Sequence, residues 1–241
     1  MGYTRYGDVI MNNKLDSFVE SYNYKNGIMG IATDYCSHIF MRYMTGSSVL
    51  ELGPAEGVMT ELLYPKYEDY TVVEGATKFC NLLKERFPKM NVVNSYFENF
   101  QTDRKYDNII LGHVLEHVDD PIYILKLCKR WLSKGGRILS AVPNSHSVHR
   151  QAAVYMGILE RENMLNNTDR GLGHQRVYNF DMLKSDFEKA GCIIKYSGGY
   201  WLKPISNSQI EKQWSPDMIN AFMKLGEQYP EIAAEMFIVA E

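Results

Sequence analysis

The alternation of short apolar runs with helical patterns constrains the fold of this 241-residue chain more than any other feature. Residues 48–52 (SVLEL) form an apolar run that ends at a glycine-containing turn, and residues 57–64 continue with helical spacing. Further strand-like runs lie at 70–74, 91–94, 106–111, 137–142, 192–196 and 235–240, with helical patterns at 77–87 and 120–132 between them. Such alternation predicts an α/β fold, in which helices cover both faces of a mostly parallel sheet.

The pattern changes after the fifth strand-like run. Residues 143–178 are rich in histidine, arginine and asparagine and contain one helical stretch at about 147–161. A helix at 179–190 follows, and Ser215 is a good N-cap for a later one. We therefore predict a single domain over residues 1–241, with a helical insertion at 143–178 that could serve as a lid.

One helical signal stands near the N-terminus. Apolar side chains recur there at helical spacing, at Leu15, Phe18, Val19 and Tyr22. This spacing predicts that residues 1–30 form a helical cap on the domain.

The composition excludes several classes of protein. Hydrophobic residues make up 45% of the chain and charged residues 23%, so the chain can bury a sizeable core. The net charge of −3 and the pI of about 6.1 speak against a dedicated nucleic-acid binder. No apolar run is long enough to span a membrane, and no secretory signal is visible. The four cysteines form no CxxC pair, so we expect a cytoplasmic protein with reduced thiols.

The turn after the first strand has the features of a nucleotide site. Gly53 and Gly57 lie between a strand and a helix, where glycine lets the backbone turn sharply and approach a ligand. The helix that follows offers unpaired N–H groups at its N-terminus. Glu74 ends the second strand, where a carboxylate can accept hydrogen bonds from both hydroxyls of a ribose.

Four segments resemble the class I S-adenosylmethionine-dependent methyltransferases. They are VLELGPAEG (49–57), VVEGA (72–76), YDNIILGHVLEHVDDP (106–121) and LSKGGRILSAVPN (132–144), and the resemblance covers about residues 30–200. It implies a Rossmann-like sheet of seven strands, with strand seven antiparallel between strands five and six. It also implies S-adenosyl-L-methionine as methyl donor and S-adenosyl-L-homocysteine as product.

The resemblance also implies which residues contact this cofactor. Glu51 would hold the methionine amine and Glu74 would clamp the ribose. Ser95 occupies the place where the family often has an aspartate that reads the adenine amino group. The other cofactor contacts would be Gly53, Ala55, Gly57, Gly75, Tyr96, Phe97 and Gly112.

Histidines mark the side where a methyl acceptor would bind. A hydroxyl acceptor loses a proton during methylation, and histidine is the favoured base near neutral pH. The candidate catalytic residues are His113, after the fourth strand, and His146, His149 and His174 in the insertion. His117, in the LEHV segment, is predicted to be structural, and no metal is expected because no carboxylate motif accompanies His146 and His149.

Polar residues of the insertion are candidates for acceptor binding. They are Asn144, Arg150, Arg176 and Tyr178. Arginine side chains suit a phosphate or a nucleotide diphosphate on the acceptor.

A second resemblance concerns residues 144–204. The segments NSHSVHRQAAVYMGIL, GLGHQRVYNFDML and GGYWLKP are similar to bacterial methyltransferases of sugar, polysaccharide and antibiotic pathways. This implies a small-molecule acceptor, with O-methylation of a sugar or nucleotide-sugar hydroxyl in glycan biosynthesis as the leading hypothesis. An N- or carboxyl-methyltransferase of another metabolite, a non-catalytic cofactor-binding module and a protein or RNA methyltransferase remain alternatives. The sequence does not indicate an oligomeric state.

Overall fold

Seven strands form one sheet in the computed structural model, which describes residues 15–16 and 27–241. The strands are β1 (Ser48–Leu52), β2 (Asp69–Glu74), β3 (Asn91–Asn94), β4 (Tyr106–Gly112), β5 (Leu132–Pro143), β6 (Ile194–Tyr200) and β7 (Glu235–Ala240). Their order across the sheet is β3-β2-β1-β4-β5-β7-β6. Strands β1 to β5 pair in parallel, whereas β7 runs antiparallel between β5 and β6. The predicted Rossmann-like sheet is confirmed.

Helices pack against both faces of this sheet. They are α1 (Ile28–Met41), α2 (Val58–Leu63), α3 (Thr77–Arg86), α4 (Pro121–Trp131), α5 (Val148–Tyr155), α6 (Asn167–Gly171), α7 (Phe180–Lys189), α8 (Asn207–Gln213) and α9 (Pro216–Gln228). Side-chain oxygens cap the N-termini of four of them, from Asp120 on α4, Asn166 on α6, Asn179 on α7 and Ser215 on α9. Within the described ranges, no helix combines the length and the apolar character needed to cross a lipid bilayer.

Alternate residues of each central strand point to opposite faces and build two apolar cores. Leu50 and Ile109 pack on one face with the apolar side of α4. Their neighbours Val49 and Ile110 pack on the other face with Phe40 of α1. Because both faces are covered, apolar residues follow one another within these strands instead of alternating strictly with polar ones.

Three predicted elements have different boundaries. The helix predicted at 147–161 ends at Tyr155, because Gly157 adopts a left-handed φ of 70°. The sixth strand, predicted at 192–196, lies at Ile194–Tyr200. Its second half contains Gly198 and Gly199, which are poor strand formers, and pairing with β7 holds it extended.

The fifth strand also begins earlier than predicted. Lys134–Gly136 was predicted to be a tight turn before the strand, but β5 starts at Leu132. The turn survives as an irregularity within the strand, because Leu132 pairs with Tyr106 and Arg137 pairs with Asn108. Helices α1, α6 and α8 have no counterpart among the predicted elements.

The predicted N-terminal cap lies mostly outside the described residues. Leu15 and Asp16 are helical, and Asp16 Oδ1 accepts a hydrogen bond of 3.0 Å from the backbone N–H of Lys78 at the start of α3. The rest of the predicted helix, including Phe18, Val19 and Tyr22, is not described.

The backbone of α9 touches the end of β6 at Gly226. The N–H of Trp201 donates to the carbonyl of Met223, and a Cβ atom on Gly226 would lie 2.1 Å from that same nitrogen. We expect Gly226→Ala to lower the free energy of unfolding by about 3 kcal/mol, because backbone cannot move aside as a side chain can. Urea unfolding measures this.

Gly171→Ala is the matched control for that substitution. A Cβ atom on Gly171, at the end of α6, would have no neighbour within 4 Å. Its substitution should change stability by less than about 1 kcal/mol. Equal losses in the two variants would show that close backbone contact does not limit this packing.

Candidate functional site

The predicted cofactor residues meet at the carboxyl edge of the sheet. Strand β1 lies between β2 and β4, because the chain runs outward from β1 to β2 and β3 on one side and then returns to place β4 on the other side of β1. In open α/β sheets, ligands bind in the crevice at such a switch point.

The turn after β1 holds a strained backbone conformation. Gly53, Ala55 and Gly57 have φ angles of 63°, 48° and 75°. Such angles are uncommon for a residue with a Cβ atom, so Ala55 is a local strain of the kind that clusters at functional sites. A Cβ atom on Gly57 would lie 2.7 Å from Cδ2 of Leu83, so the turn also packs closely against α3.

The Glu74 carboxylate ties this turn to the end of β2. Its Oε2 atom accepts a hydrogen bond of 3.2 Å from the N–H of Ala55, and Oε1 accepts one of 2.8 Å from the N–H of Ala76. Burial raises the pKa of Glu74 to about 7, although these backbone donors act in the opposite direction. Each carboxylate oxygen has a second lone pair, which leaves Glu74 able to accept bonds from a diol.

Glu51 lies deeper, between β1, α2 and β2. Its Oε2 atom accepts hydrogen bonds of 2.6 Å from the hydroxyl of Thr60 and 2.8 Å from that of Tyr70. Burial raises the pKa of Glu51 to about 7, while the two hydroxyl donors lower it. A cationic ligand group beside this carboxylate would favour its ionised form.

Residues after β3 lie at the same edge, beside Glu74 and the glycine turn. The N–H of Ser95 donates to the carbonyl of Glu74, and Tyr96 lies against Gly75, whose Cβ atom would come within 3.7 Å of the Tyr96 ring. Phe97 similarly approaches the glycine turn at Gly53.

Sequence reasoning missed Asn94, whose side-chain amide donates to the carbonyls of Glu74 and Gly75. Its position as the last residue of β3 was the available signal.

His113 follows Gly112 at the end of β4 and is surrounded by polar groups. Its Nδ1 atom lies 3.4 Å from Oε1 of Glu116 and 3.8 Å from Oε2 of Glu235, and Nε2 lies 3.3 Å from the hydroxyl of Tyr200. His113 also has a φ of 59°, fixed by a hydrogen bond from its N–H to the carbonyl of Ala141.

The surrounding carboxylates control the charge of His113. Burial alone lowers the pKa of His113, but the contact with Glu116 and the charge of Glu235 raise it to about 9. The pKa of Glu116 is lowered despite its burial, because His113 faces it, whereas burial raises that of Glu235. Near neutral pH both ring nitrogens of the imidazole therefore carry a proton, and one of them must lose its proton before the side chain can act as a base.

Glu235 and Tyr200 were not predicted as site residues. They belong to β7 and β6, which the sheet order brings beside β5 at the same edge. They also pair with each other across the two strands.

The insertion histidines occupy different surroundings. His174 lies beside His117 with ring centroids 4.7 Å apart, and both adjoin Glu116. His146 is half-exposed, with Nδ1 2.7 Å from Oε2 of Glu162 within the insertion. Burial lowers the pKa of His149 to about 2, so its imidazole is neutral. Of the four candidate bases, His113 and His174 thus both lie beside Glu116.

Two of the candidate acceptor-binding residues make hydrogen bonds to the backbone around the edge. The Asn144 amide donates to the carbonyls of Glu231 and Ala233, each at 2.9 Å. The Arg176 guanidinium donates to the carbonyls of Leu115, Val118 and Asp119. Their binding of an acceptor remains a prediction.

The other two candidates tie the insertion together. Arg150 donates 2.7 Å from Nε to the carbonyl of Glu162 and 3.1 Å from Nη1 to Oδ2 of Asp169. The hydroxyl of Tyr178 donates to the carboxylate of Asp186 on α7. Their role toward an acceptor is likewise a prediction.

Comparisons with known proteins point to one family. A family model described as a methyltransferase domain matches residues 31–195. A ubiquinone biosynthesis O-methyltransferase of Acinetobacter baylyi is 21% identical over 179 residues, which cover 67% of this chain and 73% of that protein. The N-methyltransferase NodS of Bradyrhizobium japonicum, crystallised with S-adenosyl-L-homocysteine, has a similar structure, with a TM-score of 0.63, 12% identity and coverage of 95% and 96%. A SAM-dependent methyltransferase of Archaeoglobus fulgidus is also similar in structure, with a TM-score of 0.58, 19% identity and coverage of 87% of this chain and 92% of that chain.

The buried Glu51 makes stability depend on pH. Its pKa of about 7 exceeds its ordinary value of 4.5, so its contribution is greatest below pH 4.5 and is lost as the pH rises through 7. We expect Glu51→Gln to abolish this loss, and so to gain up to about 3 kcal/mol on the wild type between pH 4.5 and 8. Urea unfolding at several pH values measures it.

The control for that comparison is Glu188→Gln, which removes an exposed carboxylate from α7. It should follow the wild type at every pH. If the free energy of unfolding of Glu51→Gln also follows that of the wild type at every pH, burial does not raise the pKa of Glu51.

Proposed function

This chain is a member of the methyltransferase-domain family, and from that membership we propose that it methylates a hydroxyl of a small molecule, most specifically of a sugar or nucleotide-sugar. The enzyme uses S-adenosylmethionine as methyl donor. The proposal is carried by one observation: a single edge of the sheet holds the Glu74-bound glycine turn on one side and His113 with its carboxylate partners on the other.

We call the part of the edge at the glycine turn, Glu51 and Glu74 the donor side, because the methyl donor would bind there. Its residues fit S-adenosylmethionine. The left-handed turn at Gly53–Gly57 presents backbone rather than side chains to the crevice. Glu74 offers carboxylate lone pairs of the kind that a ribose diol requires, and Glu51 supplies negative charge for an ammonium group. The cofactor brings an already activated methyl group, so the protein has to bind, orient and exclude water.

The acceptor side supports proton removal from a hydroxyl. His113 is the candidate histidine at the end of β4, where the family places the methyl group, and Glu116 orients its imidazole through Nδ1. The Nε2 atom would then take the proton, with Tyr200 beside it. The similar Acinetobacter baylyi protein is an O-methyltransferase, and the resemblance of residues 144–204 favours a sugar among hydroxyl acceptors.

An amine acceptor is the second candidate. The buried carboxylates of Glu116 and Glu235 lie 3.4 Å and 3.8 Å from His113 and would stabilise the positive charge that a neutral amine nitrogen gains when it is methylated. The structurally similar NodS is an N-methyltransferase. Amine methylation does not require a positioned base, which separates the two candidates experimentally.

Glu74→Ala tests the donor side. The substitution removes the acceptor for two backbone N–H groups and for the ribose hydroxyls. We expect S-adenosylhomocysteine to bind about 100-fold more weakly in calorimetry. Methyl transfer from labelled S-adenosylmethionine is measured on a panel of nucleotide-sugars, free sugars, amines, protein and RNA. Whichever class the wild type labels, Glu74→Ala should label it more slowly.

The exposed Glu85→Ala on α3 is the control and should bind and react as the wild type does. Label in the sugar fractions supports the proposed acceptor. Label in amines alone supports the second candidate, and label confined to protein or RNA contradicts both.

His113→Asn tests the base. Asparagine tolerates the left-handed backbone at this position but has no basic nitrogen. We expect hydroxyl methylation to fall by about 100-fold or more, with cofactor affinity nearly unchanged. Amine methylation should fall by much less, and an equal rate on hydroxyl acceptors would rule out His113 as the base.

A further inference from the structure

A second group of polar side chains lies on the insertion side of Glu116. His117 is its chain neighbour after β4, and His174 comes from the segment between α6 and α7. One nitrogen or oxygen atom from each of the three side chains lies within 4.8 Å of the other two.

Hydrogen bonds hold the two segments that supply these side chains. The N–H of Gln175 donates 2.8 Å to the carbonyl of Glu116, and its side-chain amide donates 2.7 Å to the carbonyl of His117 and 2.6 Å to Asp119 Oδ1. Arg176 adds its bonds to the same loop. The hydrogen bonds of Gln175 and Arg176 thus hold the backbone of the segment that carries His174 beside Glu116 and His117.

The side chains themselves lack the donors and acceptors that burial demands. Glu116 is 1% exposed, and neither carboxylate oxygen has a hydrogen-bond partner among the described residues. Its Oε1 atom faces His113 at 3.4 Å, which leaves Oε2. The His174 side chain beside this carboxylate is itself only 7% exposed. Burying such groups without partners costs free energy, which a cation bound between them would recover.

We propose that Glu116, His117 and His174 bind a divalent transition-metal ion such as Zn²⁺. Two imidazole nitrogens and one carboxylate oxygen form a donor set typical of zinc and of non-haem iron, whereas Mg²⁺ and Ca²⁺ prefer oxygen ligands alone. Metal–ligand distances of about 2.0–2.2 Å require the three donor atoms to close in by about an ångström.

The surroundings of the imidazoles match those of metal-bound histidines. Such histidines are usually oriented by a carboxylate or a carbonyl outside the metal's own ligands. Asp169 Oδ1 lies 3.7 Å from Nδ1 of His174, and the backbone of Gly173 is hydrogen-bonded to His117. Asp169 is itself held by Arg150 and by the N-terminus of α6. The ion would therefore join the insertion to the loop after β4, beside His113.

The test uses the full chain after removal of metal with EDTA. Zn²⁺ is titrated by calorimetry and Co²⁺ by visible absorption, for the wild type, His174→Ala, Glu116→Gln and the control His38→Ala. His38 is an exposed histidine on α1 that pairs with Asp34, so it reports adventitious surface binding. We expect one ion per chain in the wild type and the control, about 100-fold or more weaker binding in the two site variants, and no competition from Mg²⁺.

Two outcomes would overturn the proposal. One is equal affinity in all four proteins, and the other is a wild type that binds Mg²⁺ in preference to Zn²⁺ or binds neither ion. Because unfolding of a site variant would also weaken binding, X-ray absorption of the Zn²⁺-loaded wild type provides a separate readout. Two imidazole ligands support the site, and none contradicts it. These readouts do not involve methyl transfer, so the result stands apart from the proposed function.

Discussion

The burial of four carboxylates at one edge of the sheet governs how that edge is built. Glu51 is the penultimate residue of β1, Glu74 is the last residue of the parallel β2, and Glu116 follows β4. Glu235 begins the antiparallel β7, so its first residue reaches the same edge as the last residues of its neighbours. A buried carboxylate is costly unless something donates to it or neutralises it. The geometry of the surrounding turns, hydroxyls and imidazoles follows from that requirement.

The four carboxylates divide into two pairs that meet the cost differently. Glu51 and Glu74 accept bonds from fixed donors, namely two hydroxyls and two backbone N–H groups, and burial still raises the pKa of both to about 7. A ligand that brings ammonium and hydroxyl groups would relieve the remaining cost of burying these two carboxylates, in agreement with the cofactor contacts proposed above for Glu51 and Glu74. Glu116 and Glu235 instead face the imidazole of His113, whose pKa they raise. The carboxylates that face a titratable imidazole are thus separate from the carboxylates that accept hydrogen bonds from hydroxyls and backbone N–H groups.

Local order along the chain decides how much of this could be predicted. The strands β1 to β5 and β7 each contain a short apolar run, and the turn at Gly53 with Glu74 belongs to one strand–helix–strand unit, so both were visible in the sequence. The full extent of β6 was not visible, because a glycine such as Gly198 indicates the end of a strand. In the structure this position packs closely on β7, since a Cβ atom there would lie 2.7 Å from the Phe237 ring. The contact of His113 with Glu235 depends on strand pairing far along the chain. The arginines of the insertion suggested a phosphate pocket, yet sequence cannot show that Arg176 reaches backbone carbonyls of another loop.

The same arginines bear on how an acceptor could enter. Arg150 donates to the carbonyls of Glu162 and Met164, and Arg176 donates to those of Leu115, Val118 and Asp119. Irregular segments need such partners, because their own backbone groups form no ladder. Swinging the whole insertion away as a lid would break the Arg176 bonds and those of Gln175 together, and each lost bond to a charged group costs about 1.5–3 kcal/mol. Movement at the acceptor side is therefore cheaper in parts of the insertion beyond these bonds, around the exposed Tyr155 and Met156, than at the segment that carries His174.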